Sequence, residues 1–288
     1  MITTHDALSL VKENVCSELK KGGSGFSDVF SLLSKSEGKY LRSRIGLICS
    51  ADENGLVDDS AVKRLAAIEL LHLASIIHDD VVDDSETRRG LPSVQAVFGK
   101  HGAVIAGDYL LTRCFSLVSN ECNEQLNLFA RTVAALCRGE MRQEKSLFNR
   151  RITPMQYIKT ISGKTAALFS AAAAVGRSDF AHISLGHKFG VAYQIYDDIS
   201  DFTGASKNFE GKPFSKDLKS GVITLPTIFC LSRNPDYTDE EIIKDIDYGT
   251  TKSREVATAY INKLKQLSKR AGITKPQELG YIIDKITK

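Results

Sequence analysis

Residues 70–90 read LLHLASIIHDDVVDDSETRRG, an apolar run that ends in concentrated charge. Asp79, Asp80, Asp83 and Asp84 fall within six positions, followed by Glu86, Arg88 and Arg89. Residues four apart share a helix face, so Asp79 is expected to project with Asp83, and Asp80 with Asp84. Like charges at that spacing repel unless a cation sits between them. Hard divalent cations take oxygen ligands, and Mg²⁺ combines one or two carboxylates with substrate phosphates. The fixed donor fork of arginine suits the same phosphates. A solvated helix end is the bland account of one acidic run. A second run, YQIYDDISDF, carries Asp197, Asp198 and Asp201 and again closes an apolar helical pattern. Two such elements facing each other could clamp a diphosphate through bridging ions. Neither run has the spacing or the glycine of an EF-hand loop, which argues against a simple Ca²⁺ module.

The rest of the chain predicts an all-α protein in one domain over residues 1–288. Residues 5–20 place Ala7, Leu8, Val11, Val15 and Leu19 on one side of a first helix, and KKGGSG ends it. A short helix from Phe26 to Leu33 follows. In SEGKYLRSRIGL, Lys39, Arg42 and Arg44 gather where a helix starts, a pattern suited to an anion. An ordinary basic helix end is the alternative. A long helix is expected from about Ser60 into the first Asp run, stopped by Pro92. His72 lies two turns before Asp79 on the same face, where a histidine is more often a satisfied core residue than a ligand contact. Further helices are expected over 101–119 and from 121 to about 150. Thr153 and Pro154 read as an N-cap and first helical position. Lys164, in SGKTAALFSAAAA, is costly to bury without an anionic partner. The second Asp helix spans 184–202. TGASKNFEGKPFSKDLKSG then has the length of a lid rather than of a tight connection. From Leu225 the pattern is helical again, with a capping box at Thr238 and Glu241. No strand pattern stands out.

Bulk properties exclude several classes. A formal charge of +3 on 288 residues gives no case for nucleic acid. The six cysteines have no CxxC or zinc spacing, and most lie in apolar helical patterns, so buried free thiols in a reducing compartment are expected. The first residues, MITTHDALSLVKENV, lack the apolar core of a signal peptide. The most apolar stretch, 166–176, is far short of the ~20 residues that span a bilayer. The protein is expected to be cytoplasmic and not transmembrane.

The segments HDDVVDDSETRRG, GDYLL, GEMRQ, GKTAALF, YQIYDDISDF and ITLP, in this order, resemble the trans-isoprenyl diphosphate synthase (polyprenyl synthetase) family, from Gly38 to about Tyr260. The two Asp runs resemble its paired DDxxD motifs. The resemblance implies an isoprenoid synthase helical bundle around a central cavity, a homodimer, and Mg²⁺ as cofactor, with three ions. It implies head-to-tail condensation of isopentenyl diphosphate with an allylic diphosphate. Asp79, Asp80, Asp83, Asp197, Asp198 and Asp201 would be metal ligands. Lys39, Arg42, His72 and Arg89 would bind isopentenyl diphosphate. Arg88, Lys164 and Lys212 would bind the allylic diphosphate, with Lys164, Thr165 and Gln194 beside the reacting carbons. Asp108 and Gln143 could brace the site or serve the fold. The family segment GGKRxRP is matched at Lys39 and Arg42, but Glu37, Tyr40 and Ser43 replace its Gly, Arg and Pro. Val222 stands where the family's GKxTLP has a second Lys, a loss for which Lys216 or Lys219 could compensate.

Product length in the family depends on residues just before the first Asp motif. Ala74 and Ser75 are small where short-chain enzymes carry an aromatic floor, which implies a product longer than farnesyl. Phe129 is a candidate deeper stop. Two other readings compete. A class I terpene cyclase would replace the second Asp motif, and this chain keeps DDISD. A catalytic subunit of a heteromeric synthase would fit the altered basic segment and Val222.

Overall fold

The computed structural model describes residues 1–35, 38–88, 90–203 and 216–287. Its contacts divide the chain into two compact units, one of Met1–Arg131 with Ala171–Ser178, the other of Thr132–Ser170 with Asp179–Lys288. Helices dominate both, as the apolar periodicity predicts.

In the first unit, α1 (Thr4–Lys20) is capped by Thr3, whose side chain accepts from the Asp6 N–H. Then come α2 (Ser27–Lys35), α3 (Leu41–Ser50), α4 (Asp59–Val82) and α5 (Val94–Val118). Helix α4 is the core element. Leu65, Ile68, Leu70, Leu71, Ala74 and Ile77 are buried on it, so it is apolar almost all round, as a central helix must be. It packs chiefly on α5, with α1 and α3 against its other sides. Glu18 of α1 is buried and accepts from the Arg113 guanidinium of α5 at 2.5 and 2.9 Å.

Four expectations need correction here. Pro92 does not stop α4; the helix ends at Val82, with Asp83 as its C-cap and Asp84 in the left-handed region at φ 49°. Asp84 therefore leaves the face of Asp80 and pairs with Lys100 at 2.9 Å. Pro92 instead belongs to a short antiparallel hairpin, β3 (Thr87–Arg88) with β4 (Leu91–Pro92). Another two-residue ladder joins β1 (Ile2–Thr3) to β2 (Leu56–Val57), so short strands do occur. Helix α5 starts before residue 101, at a Ser93 cap that accepts from the Ala96 N–H, and breaks at Gly99 (φ 74°, ψ 164°).

In the second unit, the capping box at Thr153 and Gln156 starts α7 (Pro154–Ile161). A π-helix (Ser162–Ala166) follows, and then α9 (Phe180–Thr203). Two helices contribute residues to both units, α6 (Asn123–Lys145) and α8 (Ala167–Ala174). Helix α6 stops short of residue 150. Of the lid-like stretch, 204–215 lie outside the described residues; its end forms a short helix, α10 (Lys216–Ser220), and α11 (Leu225–Arg233) comes next. A short α12 (Asp239–Lys244) opens on the expected capping box at Thr238 and Glu241. Helices α13 (Ile246–Arg270) and α14 (Pro276–Thr287) close the chain. Helix α9 packs along α13, and Ile195, Ile199, Phe202, Leu225 and Ile228 share one apolar cluster.

No described helix is long and apolar enough to cross a membrane. All six cysteines are free, but only Cys49, Cys114 and Cys230 are buried; Cys16, Cys122 and Cys137 are exposed, which corrects the expectation of mostly buried thiols. Burial pushes the Cys114 thiol up to about 12 and contributes most to raising Cys230 to about 11, so neither is a reactive thiolate.

Candidate active site

The first Asp motif lies at the C-terminal end of α4. Asp80 is 2% exposed, and the Arg88 guanidinium donates to its Oδ1 at 2.6 and 3.0 Å. The hairpin behind the motif presents Arg88 for this contact. Ser85 fixes that turn, since its carbonyl accepts from Ser93 Oγ at 2.7 Å and Gln95 Nε2 at 2.9 Å. Asp79 is half-buried and Asp83 exposed, one turn apart and joined by the Asp83 N–H to Asp79 carbonyl bond at 2.8 Å.

The basic segment meets α4 two to three turns upstream. Arg42 Nη1 lies 2.9 Å from His72 Nε2. A guanidinium only donates, so Nε2 accepts and a neutral ring carries its proton on Nδ1. Lys39 is exposed at the start of α3. Ala74 is fully buried, while Ser75 is half-buried with its hydroxyl on the His72 carbonyl at 2.9 Å. Phe129 is wholly buried. Asp108, a possible brace, lies 3.4 Å from His78.

The second Asp motif repeats the pattern. Asp198 is 4% exposed, while Asp197 is exposed and Asp201 half-buried. Asp198 accepts from Tyr157 Oη at 2.6 Å and from Gln194 Nε2 at 2.7 Å. Gln194 Oε1 in turn accepts from Thr165 Oγ1 at 2.6 Å. Burial, then the charge of Asp217, holds the Asp198 carboxyl well above the usual carboxylate range, while its hydrogen bonds to Tyr157 and Gln194 pull the other way. Burial and the Asp198 charge raise the Tyr157 phenol as well. In each motif the second aspartate is thus held by protein donors, and the first and last are the more open pair.

Lys164 finds the anionic partner its burial demands. Its ammonium lies 2.8 and 3.1 Å from the two Glu140 carboxylate oxygens. Gln143 Nε2 reaches Glu140 at 3.5 Å. The π-helix carrying Lys164 lies directly on α6. A Cβ on Gly139 would fall 2.3 Å from the Lys164 backbone nitrogen, and one on Gly163 would fall 2.8 Å from the Ala135 carbonyl oxygen. Only glycines allow this approach, and π-turns in helices often mark functional sites.

Arg89 and Lys212 lie outside the described residues. Val222 is half-buried, its N–H on the Asp217 carbonyl at 2.9 Å. Lys219 is exposed on α10, a place open to solvent. Tyr157, Glu140, Asp217, Gly139 and Gly163 were not among the expected site residues. Their only sequence signals are a Tyr on the apolar face of α7, the acid in GEMRQ, the Asp near the end of the lid-like stretch, and glycines inside helical patterns. Replacing Tyr157 with Phe leaves a buried carboxylate oxygen one donor short. It should cost about 1–3 kcal/mol of stability in thermal melts; an unchanged melting temperature would mean that this bond does not hold Asp198.

The donor set fits Mg²⁺. Asp79 with Asp83, and Asp197 with Asp201, are carboxylate pairs four residues apart. No three His, Cys, Asp or Glu side chains among the described residues form a self-sufficient metal site. Mg²⁺ needs only one or two carboxylates and completes its shell with water and substrate phosphate.

Comparison with known proteins agrees with the motifs. The polyprenyl synthetase family matches residues 24–263. The chain belongs to that family. Heptaprenyl diphosphate synthase component 2 of Geobacillus stearothermophilus is 34% identical over 224 residues, covering 74% of this chain and 64% of that protein, less than two thirds of its length. Nonaprenyl diphosphate synthase of Mycobacterium tuberculosis is 34% identical over 230 residues, 77% of this chain and 68% of that one. The crystal structure of heptaprenyl diphosphate synthase from Staphylococcus aureus aligns with a TM-score of 0.87 at 27% identity, covering 99% of this chain and 98% of that chain. The expected isoprenoid synthase fold is therefore the observed one, and these named relatives are prenyl diphosphate synthases of long-chain products.

Proposed function

We propose that the chain, acting as one synthase domain over residues 1–288, condenses isopentenyl diphosphate head-to-tail with an allylic diphosphate. The product is a trans-polyprenyl diphosphate longer than farnesyl. The observation that carries this reading is the repeated design of the two Asp motifs, each with a fixed inner carboxylate and a more open pair four residues apart, on a family member whose named relatives make such products.

Asp80 and Asp198 orient the two motifs. Asp79 with Asp83, and Asp197 with Asp201, would hold Mg²⁺, which when bound would supply positive charge against the departing diphosphate. Arg88 and Lys164, with Lys212, add fixed positive charge to that group. Lys164 leaves its pairing with Glu140 in part to do so. As the allylic C–O bond breaks, the diphosphate departs with the electron pair. The π electrons of isopentenyl diphosphate form the new C–C bond. A proton lost from the adjacent carbon restores the double bond, with the released diphosphate as its acceptor. Lys39, Arg42 and His72, with Arg89, hold the diphosphate of isopentenyl diphosphate. Thr165 and Gln194 flank the reacting carbons.

The long product rests on the small side chain at position 74, where the family resemblance places an aromatic floor in short-chain enzymes; Ala74 itself is fully buried. Ala74→Phe is expected to shift the dominant product to fewer isoprene units, sized by chromatography after dephosphorylation. An unchanged distribution from a folded variant would contradict the tunnel assignment.

A homodimer in a reducing, cytoplasmic setting is the assembly we favour, supported by the six unpaired cysteines for the setting. The Geobacillus relative is named as component 2 of its enzyme, which favours a second reading, a catalytic subunit with a different partner chain. Activity of the purified chain alone distinguishes the two. Full turnover without a partner supports the homomeric enzyme, and activity only on adding a second chain supports the heteromeric one.

A further inference from the structure

The first turn of α3 is held to α4 by two adjacent residues. Arg42 donates to His72 at 2.9 Å. Ser43 donates to Glu69 Oε1 twice, from its backbone N–H at 3.1 Å and from its hydroxyl at 2.6 Å. Ser43 is 0% exposed and Glu69 is 6% exposed. Glu69 lies one turn before His72 on α4.

The first N–H groups of a helix have no partner within it. Tyr40, the N-cap of α3, supplies no side-chain cap bond and sits in the left-handed region at φ 49°, ψ 38°. Glu69 therefore acts as the cap from a neighbouring helix, and its charge is favoured at the positive end of α3. Proline, which the family segment carries at the position of Ser43, has neither an N–H nor a hydroxyl and could make neither bond. Tyr40 replaces the family's arginine, and its ring lies 5.2 Å from Lys12 Nζ. With these departures the start of α3 loses a cation at position 40 and gains a buried clamp at position 43.

We propose that Ser43 is a positioning residue for isopentenyl diphosphate. By clamping Glu69 it sets the register of α3 on α4, so that Arg42 and His72 meet the diphosphate together. This rests on the role given above to Lys39, Arg42 and His72.

The test is steady-state kinetics with both substrates varied, on wild type, Ser43→Ala and Glu69→Gln, with thermal melts to confirm folding. Glu69→Gln retains an acceptor oxygen and keeps the test open if Ser43→Ala folds poorly. Ser43→Ala should raise KM for isopentenyl diphosphate about tenfold, the scale of one hydrogen bond to a charged group. Its kcat and its KM for the allylic diphosphate should stay within about twofold. Glu69→Gln should move the same parameter in the same direction. Equal changes for both substrates, or lower kcat alone, would reduce Ser43 to a structural role and overturn the proposal. Unchanged kinetics in both variants would overturn it too. If wild type consumes no isopentenyl diphosphate, the functional reading fails and this inference with it; if only the variants behave as wild type, this inference alone fails.

Discussion

Alanine at Asp79 or at Asp197 should lower kcat by about a thousandfold. Each change removes one of the two more open carboxylates of its motif and leaves its buried partner in place. On the proposed function, the loss should exceed that from any single basic residue, because each pair would hold a divalent cation rather than one side-chain charge. Asp84→Ala is the matched control. Asp84 lies in the same acidic run but pairs with Lys100 on the surface, and kcat should stay within a few-fold. The same run of rate measurements checks all three variants. Equal losses for Asp79 and Asp84 would mean that the run acts through net charge rather than through placed ligands.

The second large effect belongs to a residue with no reactive group. Gly139→Ala would place a Cβ 2.3 Å from the Lys164 backbone nitrogen, against main chain that cannot swing away. Overpacking of this kind costs about 1–3 kcal/mol, and here it also displaces the π-helix that presents Lys164 and Thr165. Both the melting temperature and kcat should fall, with kcat down at least tenfold in protein that remains folded. Gly280→Ala on α14 is the contrast, since a Cβ there meets nothing within 4 Å. That change should leave kcat alone and raise stability by a few tenths to about 1 kcal/mol, through a less flexible unfolded chain and better helix propensity. If Gly139→Ala melts and turns over like wild type, the close approach of α6 to the π-helix has no functional weight.

These two cases show what was legible in the sequence. The Asp runs, their helices and the Lys164–Thr165 segment were readable because charge at helical spacing is a local signal. The N-cap at Thr153 and the capping box at Thr238 were local too; the partner of Thr153 in a box, Gln156, emerged only in the structure. The end of α4 is not legible from Pro92, because the backbone turns earlier, at Asp83 and Asp84. The start of α5 was placed late because Gly99 interrupts the periodic pattern after the Ser93 cap. The roles of Tyr157, Glu140 and Asp217 are not legible for another reason. Each acts on a residue 24, 41 or 19 positions away, Lys164 for Glu140 and Asp198 for the other two, and one sequence shows no trace of such pairings. The buried status of Asp80 and Asp198 was equally invisible, since six aspartates in two motifs look alike until their donors are known.

The departures from the family pattern have now acquired physical content. Ser43 makes two bonds that proline could not. Val222 sits half-buried, with its N–H tied to Asp217.

The most direct measurement is mass spectrometry of the products formed by the purified chain from isotopically labelled isopentenyl diphosphate and farnesyl diphosphate, with and without Mg²⁺. The account predicts a Mg²⁺-dependent series of linear polyprenyl diphosphates, each one labelled isoprene unit longer than the last, that extends past farnesyl. A cyclised hydrocarbon carrying no label, or farnesyl diphosphate left unchanged while Mg²⁺ and any partner chain are present, would contradict it.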